Sequence, residues 1–187
     1  MRQNLPVRAL KLSMVLLCLA GAVCCNKASA SKFPPCTPHS LTSVGKTIPD
    51  CSFEGFNGTP TVKLSSLRGR PTVLNFWASW CISCVSEMPT FQRVFASLKG
   101  RVEFVGMNVT GISGETMGAG RAFAKRARVH YQLAFDTGGL LYSHFSPRTA
   151  LPITVFVDSR GVVVERNYGA LSEKDLRNEI KTFFHIT

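Results

Sequence analysis

Cys81 and Cys84 stand two residues apart, between the apolar run PTVLNFWAS (71–79) and a stretch with helical spacing. A CxxC pair at the start of a helix has a definite chemistry. The unpaired N–H groups of a first helical turn point at Cys81 and favour its thiolate, the species that attacks a disulfide. Cys84, one turn on and less exposed, is placed to attack the mixed disulfide formed on Cys81. The pair then passes two electrons with neither partner leaving halfway. Trp77 and Trp80 supply apolar cover beside it.

Other uses of the pair are weaker. A zinc clip wants four ligands, and the remainder would have to come from His39, His130, His144, Cys36 or Cys51, which show no second CxxC and no paired histidines. Haem attachment needs CxxCH, and Val85 stands where that histidine would be. A structural bridge would close a loop too short to add much stability. A copper carrier using both cysteines and His130 or His144 as third ligand stays open as a competing, non-catalytic class. Cys36 and Cys51 flank a turn-rich segment. A structural disulfide stapling the N-terminal arm to the domain is the first reading, with free thiols or a second exchange pair as alternatives.

The elements that must position these residues read as follows. SFEGFNGTPTVKL (52–64) carries an Asn-Gly step between short alternating runs, a hairpin with arms Phe53–Phe56 and Thr61–Leu64. Residues 71–79 form a strand buried on both faces. Residues 81–98 form a helix that Pro89 should kink. Buried strand 101–110 precedes a Gly-rich loop, 111–120, and a helix at about 119–128. A short strand (131–136), a short helix (138–145) and two strands (151–158 and 162–169) joined by Ser-Arg-Gly follow. A final helix spans 171–186, with Ser172 as N-cap and Asp175 three residues on. Crossover helices followed by a terminal hairpin predict a three-layer α/β/α domain around a sheet of mixed direction.

Residues 1–30 read differently. Arg2, Arg8 and Lys11 precede fifteen uncharged residues (12–26), and Ala-Ser-Ala (28–30) offers a cleavage site. That is the layout of a secretory signal. The apolar run is short for a membrane span, which takes about 20 residues, though an uncleaved anchor or lipidation at Cys24 or Cys25 are alternatives. Residues 31–44, rich in Pro and Ser, read as a linker, and 45–187 as the domain. Losing Arg2, Arg8, Lys11 and Lys27 lowers the net charge from +11 to +7. Four of the seven cysteines then remain, an even number that suits disulfide chemistry outside the cytoplasm. The basic cluster RAFAKRARVH (121–130) puts Arg121, Lys125 and Arg128 on one helical face. It reads as a solvated face, since no aromatic interleaving or motif points to nucleic acid.

VLNFWASWCISCVSEMP, with GKTIPD and LSSLRGRP before it and LPITVFVDSRGVV and YGALSEKDL after it, resembles the TlpA/ResA-like (AhpC/TSA-Redoxin) branch of the thioredoxin superfamily, over roughly residues 44–185. The resemblance implies a thioredoxin-like fold with an N-terminal β-hairpin and an exported protein-disulfide oxidoreductase that needs no cofactor. It implies clients bearing thiols or disulfides, among them apocytochrome c, and a membrane electron donor of the CcdA/DsbD kind. Asn75 stands where cytoplasmic thioredoxins carry a buried acid. Glu87 matches a family site acid and would take the proton from Cys84; the alternative is a surface Glu complementing the helix dipole. Pro152 matches the family's cis-proline, with Leu151 presenting backbone to a substrate peptide and Trp80 completing the groove. The departure is Ser83, where the family commonly has Pro, which leaves open whether the chain reduces clients or oxidises them.

Overall fold

A computed structural model describes residues 36, 42–56, 62–146 and 150–187. The segment 1–30, most of the linker, the Asn-Gly turn and His39 lie outside the described residues.

β1 (Ser52–Gly55) pairs antiparallel with β2 (Val62–Lys63), Phe53 facing Val62, as the alternating runs predict. Leu64 is not in the second arm; it opens a 3₁₀ turn, Leu64–Leu67, that buries Leu64 and Leu67. The long apolar run gives β3 (Thr72–Trp77), buried at every residue because sheet neighbours flank it and helices cover it. α1 (Ile82–Leu98) follows and runs through Pro89, then β4 (Glu103–Asn108), α2 (Met117–Ala127) and β5 (Gln132–Phe135). A turn leads to α3 (Leu140–Phe145), then β6 (Ile153–Val157), β7 (Val163–Tyr168) and α4 (Glu173–Phe184). Among the described residues the strands form one sheet in the order β2-β1-β5-β4-β3-β6-β7. β3, β4 and β5 are parallel; β1, β6 and β7 run against their neighbours. This is the mixed α/β sheet expected.

Strand alternation sorts the helices into layers. Val73, Asn75 and Trp77 of β3 share a face. There Asn75 meets Glu87 of α1, Trp77 meets Phe123 of α2, and Phe156, opposite Val73, meets Phe183 and Phe184 of α4. Phe76 points the other way, onto Tyr142 and Phe145 of α3. Trp77 is therefore a core residue, fully buried, packed on Phe56 and Phe123.

Helix ends follow local chemistry. Ser172 accepts from Asp175 N–H and donates its hydroxyl to the Asp175 carboxylate, capping α4. α2 starts two residues before the expected position, because Thr116 accepts from Ala119 N–H and draws Gly118 and Gly120 into the helix. Arg121 does more than face solvent: its guanidinium donates to Phe56 O and Glu54 and lies 4.7 Å from the Phe135 ring centre, tying α2 to β1.

Candidate active site

The site is built at the C-terminal end of β3. The strand stops at Trp77, a bend carries Ala78–Trp80, and Cys81 is the N-cap of α1. Cys81 has extended backbone there (φ −80°, ψ 104°), so its side chain turns back over the first turn. Sγ accepts from Cys84 N–H at 3.2 Å and lies 3.4 Å from the Ser83 hydroxyl. Both contacts, and the positive end of the helix, favour charge on that sulfur.

Cys81 and Cys84 are joined, their Cα atoms 5.2 Å apart. Cys81 keeps 6% of its surface exposed, whereas Cys84 keeps none. An incoming sulfur therefore reaches Cys81 first. Trp80 and Ile82, on either side, are 47% and 86% exposed, large apolar side chains left in water beside the reactive atom.

Glu87 lies on the buried stripe of α1 with Cys84, Met88, Phe91, Val94 and Leu98. At 3% exposure it is not a surface acid. Its Oε1 accepts from Asn75 Nδ2 at 2.8 Å and its Oε2 from Leu171 N–H at 3.1 Å. Burial pushes its pKa up to about 7, against the pull of those two hydrogen bonds. Asn75 also donates to Thr154 at 3.3 Å, while its own Oδ1 has no partner. A carboxylate near half-ionised at neutral pH, three residues from a buried cysteine, suits general-base work.

The Leu151–Pro152 peptide is cis. Pro152 is buried and Leu151 half-buried, just before β6, the antiparallel neighbour of β3. The chain thus brings Trp80, Cys81, Cys84, Glu87 and the 151–152 peptide to the same end of two adjacent strands. Cys36 and Cys51 are joined to each other and both are buried, so they form a bridge apart from the exchange pair. His130 is exposed at the end of α2 and His144 is buried in α3. Among the described residues no three His, Cys, Asp or Glu side chains group as a metal site.

Sequence reasoning missed Glu115. This buried acid accepts from Ser79, two residues before Cys81, and from Asn108.

A cysteine at a helix N-cap bridged to a buried one a turn later, with a cis-proline just before the neighbouring strand of a mixed sheet, defines a thioredoxin-fold thiol-disulfide oxidoreductase acting on thiol-bearing clients. The model of the AhpC/TSA family matches residues 44–166, and the chain belongs to that family. It is 30% identical over 172 residues to the thiol-disulfide oxidoreductase ResA of Bacillus subtilis (strain 168), covering 90% of this chain and 89% of that one. It is 31% identical over 140 residues to the thiol:disulfide interchange protein DsbE of Pseudomonas fluorescens biotype C, covering 73% of each. Among solved structures, MTB DsbF in its mixed oxidised and reduced forms superposes with a TM-score of 0.61 at 28% identity, over 71% of this chain and 93% of that one. The ResA-like thioredoxin relationship expected from the CxxC segment holds.

Proposed function

We propose that the chain works outside the cytoplasm as a reductant of protein disulfides, with Cys81 attacking, Cys84 resolving and Glu87 moving the proton. The observation that carries this is the graded burial of the pair above a buried acid with a pKa near neutrality. In the reduced protein, Cys81 thiolate attacks a client disulfide. The client S–S bond breaks, a Cys81–client disulfide forms, and one client sulfur leaves as thiolate. Cys84 gives its proton to Glu87 and attacks Cys81, which releases the second client thiolate and closes the Cys81–Cys84 bond. Two electrons pass to the client, whose sulfurs end protonated by Glu87 and solvent. Trp80, Leu151 and Pro152 form the groove in which the client strand lies.

The secretory layout of residues 1–30 supports export, by cleavage or by retention as an anchor at the outer face of a bacterial cytoplasmic membrane. Among the described residues no helix is long and apolar enough to cross a membrane. Apocytochrome c is the client class and a CcdA/DsbD-type membrane protein the electron source, both on the strength of the family resemblance. The second reading is an oxidant of secreted proteins, favoured by one observation: the Ser83 hydroxyl beside Cys81 Sγ stabilises the thiolate of the reduced form.

Replacing Cys84 with Ala in the producing cell removes the resolving step, so the client stays covalently on Cys81. A reductant captures disulfide-bearing clients such as apocytochrome c, and an oxidant is held on secreted folding proteins by the reverse step, attack of Cys81 on a disulfide that the client has already formed. Capture that persists in Cys81→Ser/Cys84→Ala would rule out Cys81 as the attacking sulfur.

A further inference from the structure

Glu115 is a buried carboxylate that the chemistry of Cys81, Cys84 and Glu87 does not use. It lies in the loop between β4 and α2 and is 2% exposed. Its Oε2 accepts from the Ser79 N–H at 2.9 Å and from the Ser79 hydroxyl at 2.8 Å. Its Oε1 accepts from Asn108 Nδ2 at 2.9 Å, while Asn108 Oδ1 accepts from the Thr110 hydroxyl at 2.7 Å. α2 makes room for this network: a Cβ on Gly120 would come within 2.9 Å of Asn108 Nδ2. The loop itself is pinned, with Val109 N–H donating to Trp77 O at 3.0 Å and Gly111 N–H to Glu115 O at 2.8 Å.

Three donors face the two carboxylate oxygens, an arrangement that an amide in the same place matches only if Asn108 turns over and gives up the bond it accepts from Thr110. Ser79 sits in the bend that carries Trp80 and Cys81, and Cys81 N–H closes that bend on Ala78 O at 3.2 Å. The backbone presenting the reactive sulfur is therefore held from below by a residue 36 positions away in sequence.

We propose that Glu115 is a positioning residue of the exchange site, clamping Ser79 so that the Trp80–Cys81 edge meets a protein client in one fixed geometry. The inference rests on Cys81 being the attacking sulfur. A small dithiol reaches Cys81 without docking on that edge, whereas a folded client must dock on it. The clamp therefore governs the ratio of the two reactions.

The test compares insulin disulfide reduction by the reduced protein with reduction of the oxidised protein by dithiothreitol, each as a second-order rate constant. In Glu115→Gln the ratio of insulin to dithiothreitol rate constants falls about tenfold, the scale of one lost charge-assisted hydrogen bond. Ser79→Ala, which keeps the backbone N–H contact, lowers the ratio by less, about threefold. The exchange Asn108→Asp/Glu115→Gln restores donor–acceptor matching and returns the ratio to within about twofold of the parent. A ratio unchanged in both single variants overturns the inference, as does a double variant no better than Glu115→Gln. If Glu115→Gln does not fold, Ser79→Ala decides alone. Failure of the parent itself to reduce insulin, with Cys81→Ser no different from it, would instead remove the exchange reading beneath the inference.

Discussion

Replacing Glu87 with Gln removes one titrating proton from the interior and leaves its shape. In the oxidised protein the Glu87 pKa is about 7 against an ordinary 4.5. Between those values the folded state holds more protons than the unfolded chain, so Glu87's contribution to stability falls as pH rises from about 4.5 to about 7. A displacement of that size is worth about 3 kcal/mol. Gln does not titrate, so the stability of Glu87→Gln relative to the parent rises by about 3 kcal/mol between pH 4 and pH 8. The unpartnered Asn75 Oδ1 is an acceptor available to the new amide after a flip. Asp136, buried and raised to about 6, gives the same sign of pH dependence but is common to both proteins and drops out of the difference. Urea unfolding of the two oxidised proteins across that range measures the quantity. The same substitution slows resolution by Cys84 about hundredfold at pH 7, the lower end of what a positioned base supplies, and removes the inflection near pH 7 from the rate profile read by stopped-flow fluorescence. A pH-independent stability difference together with a parent-like rate profile would refute both the burial argument and the proton role.

Ser83→Ala removes the hydroxyl beside Cys81 Sγ. It raises the Cys81 pKa, seen by iodoacetamide trapping against pH, and lowers the reduction potential by about 20 mV, the equivalent of about 1 kcal/mol. Trp80→Ala leaves stability within about 0.5 kcal/mol, because Trp80 is half-exposed, but raises the KM for a protein client severalfold in a steady-state assay. Opening the Cys36–Cys51 bridge with Cys36→Ser/Cys51→Ser costs about 3 kcal/mol, the chain-entropy value for a loop of this length, measured by urea unfolding. Insulin reduction by that variant, assayed at a temperature where it is folded, stays at the parent rate.

The hairpin, the strand before the cysteines and the capped final helix were legible because their signals are local: an Asn-Gly step, a nearly continuous apolar run, a Ser three residues before an Asp. What sequence could not give were facts about faces and long-range pairs. β3 is buried on both faces, so its sequence carries no clear period, and nothing in it says that Trp77 points into the core while Trp80, past the strand end, points out. Glu87 could be placed on the side of Cys84 by helical spacing, but its depth is set by Asn75 on a strand and Leu171 before α4. Glu115 sits in a Gly-rich stretch that reads as a mere connector, and its partner Ser79 is 36 residues away. Arg121 looked like part of a solvated basic face; only the fold shows Glu54, the Phe56 carbonyl and the Phe135 ring beneath it.

The most direct check is a titration of the purified domain against dithiothreitol buffers of stated potential, with the free cysteines alkylated and located by mass spectrometry. Positions 81 and 84 should change together as one reversible two-electron couple, tenfold per about 30 mV, while 36 and 51 stay joined throughout. Alkylation of 81 without 84, or no reversible change at either position, would contradict the account.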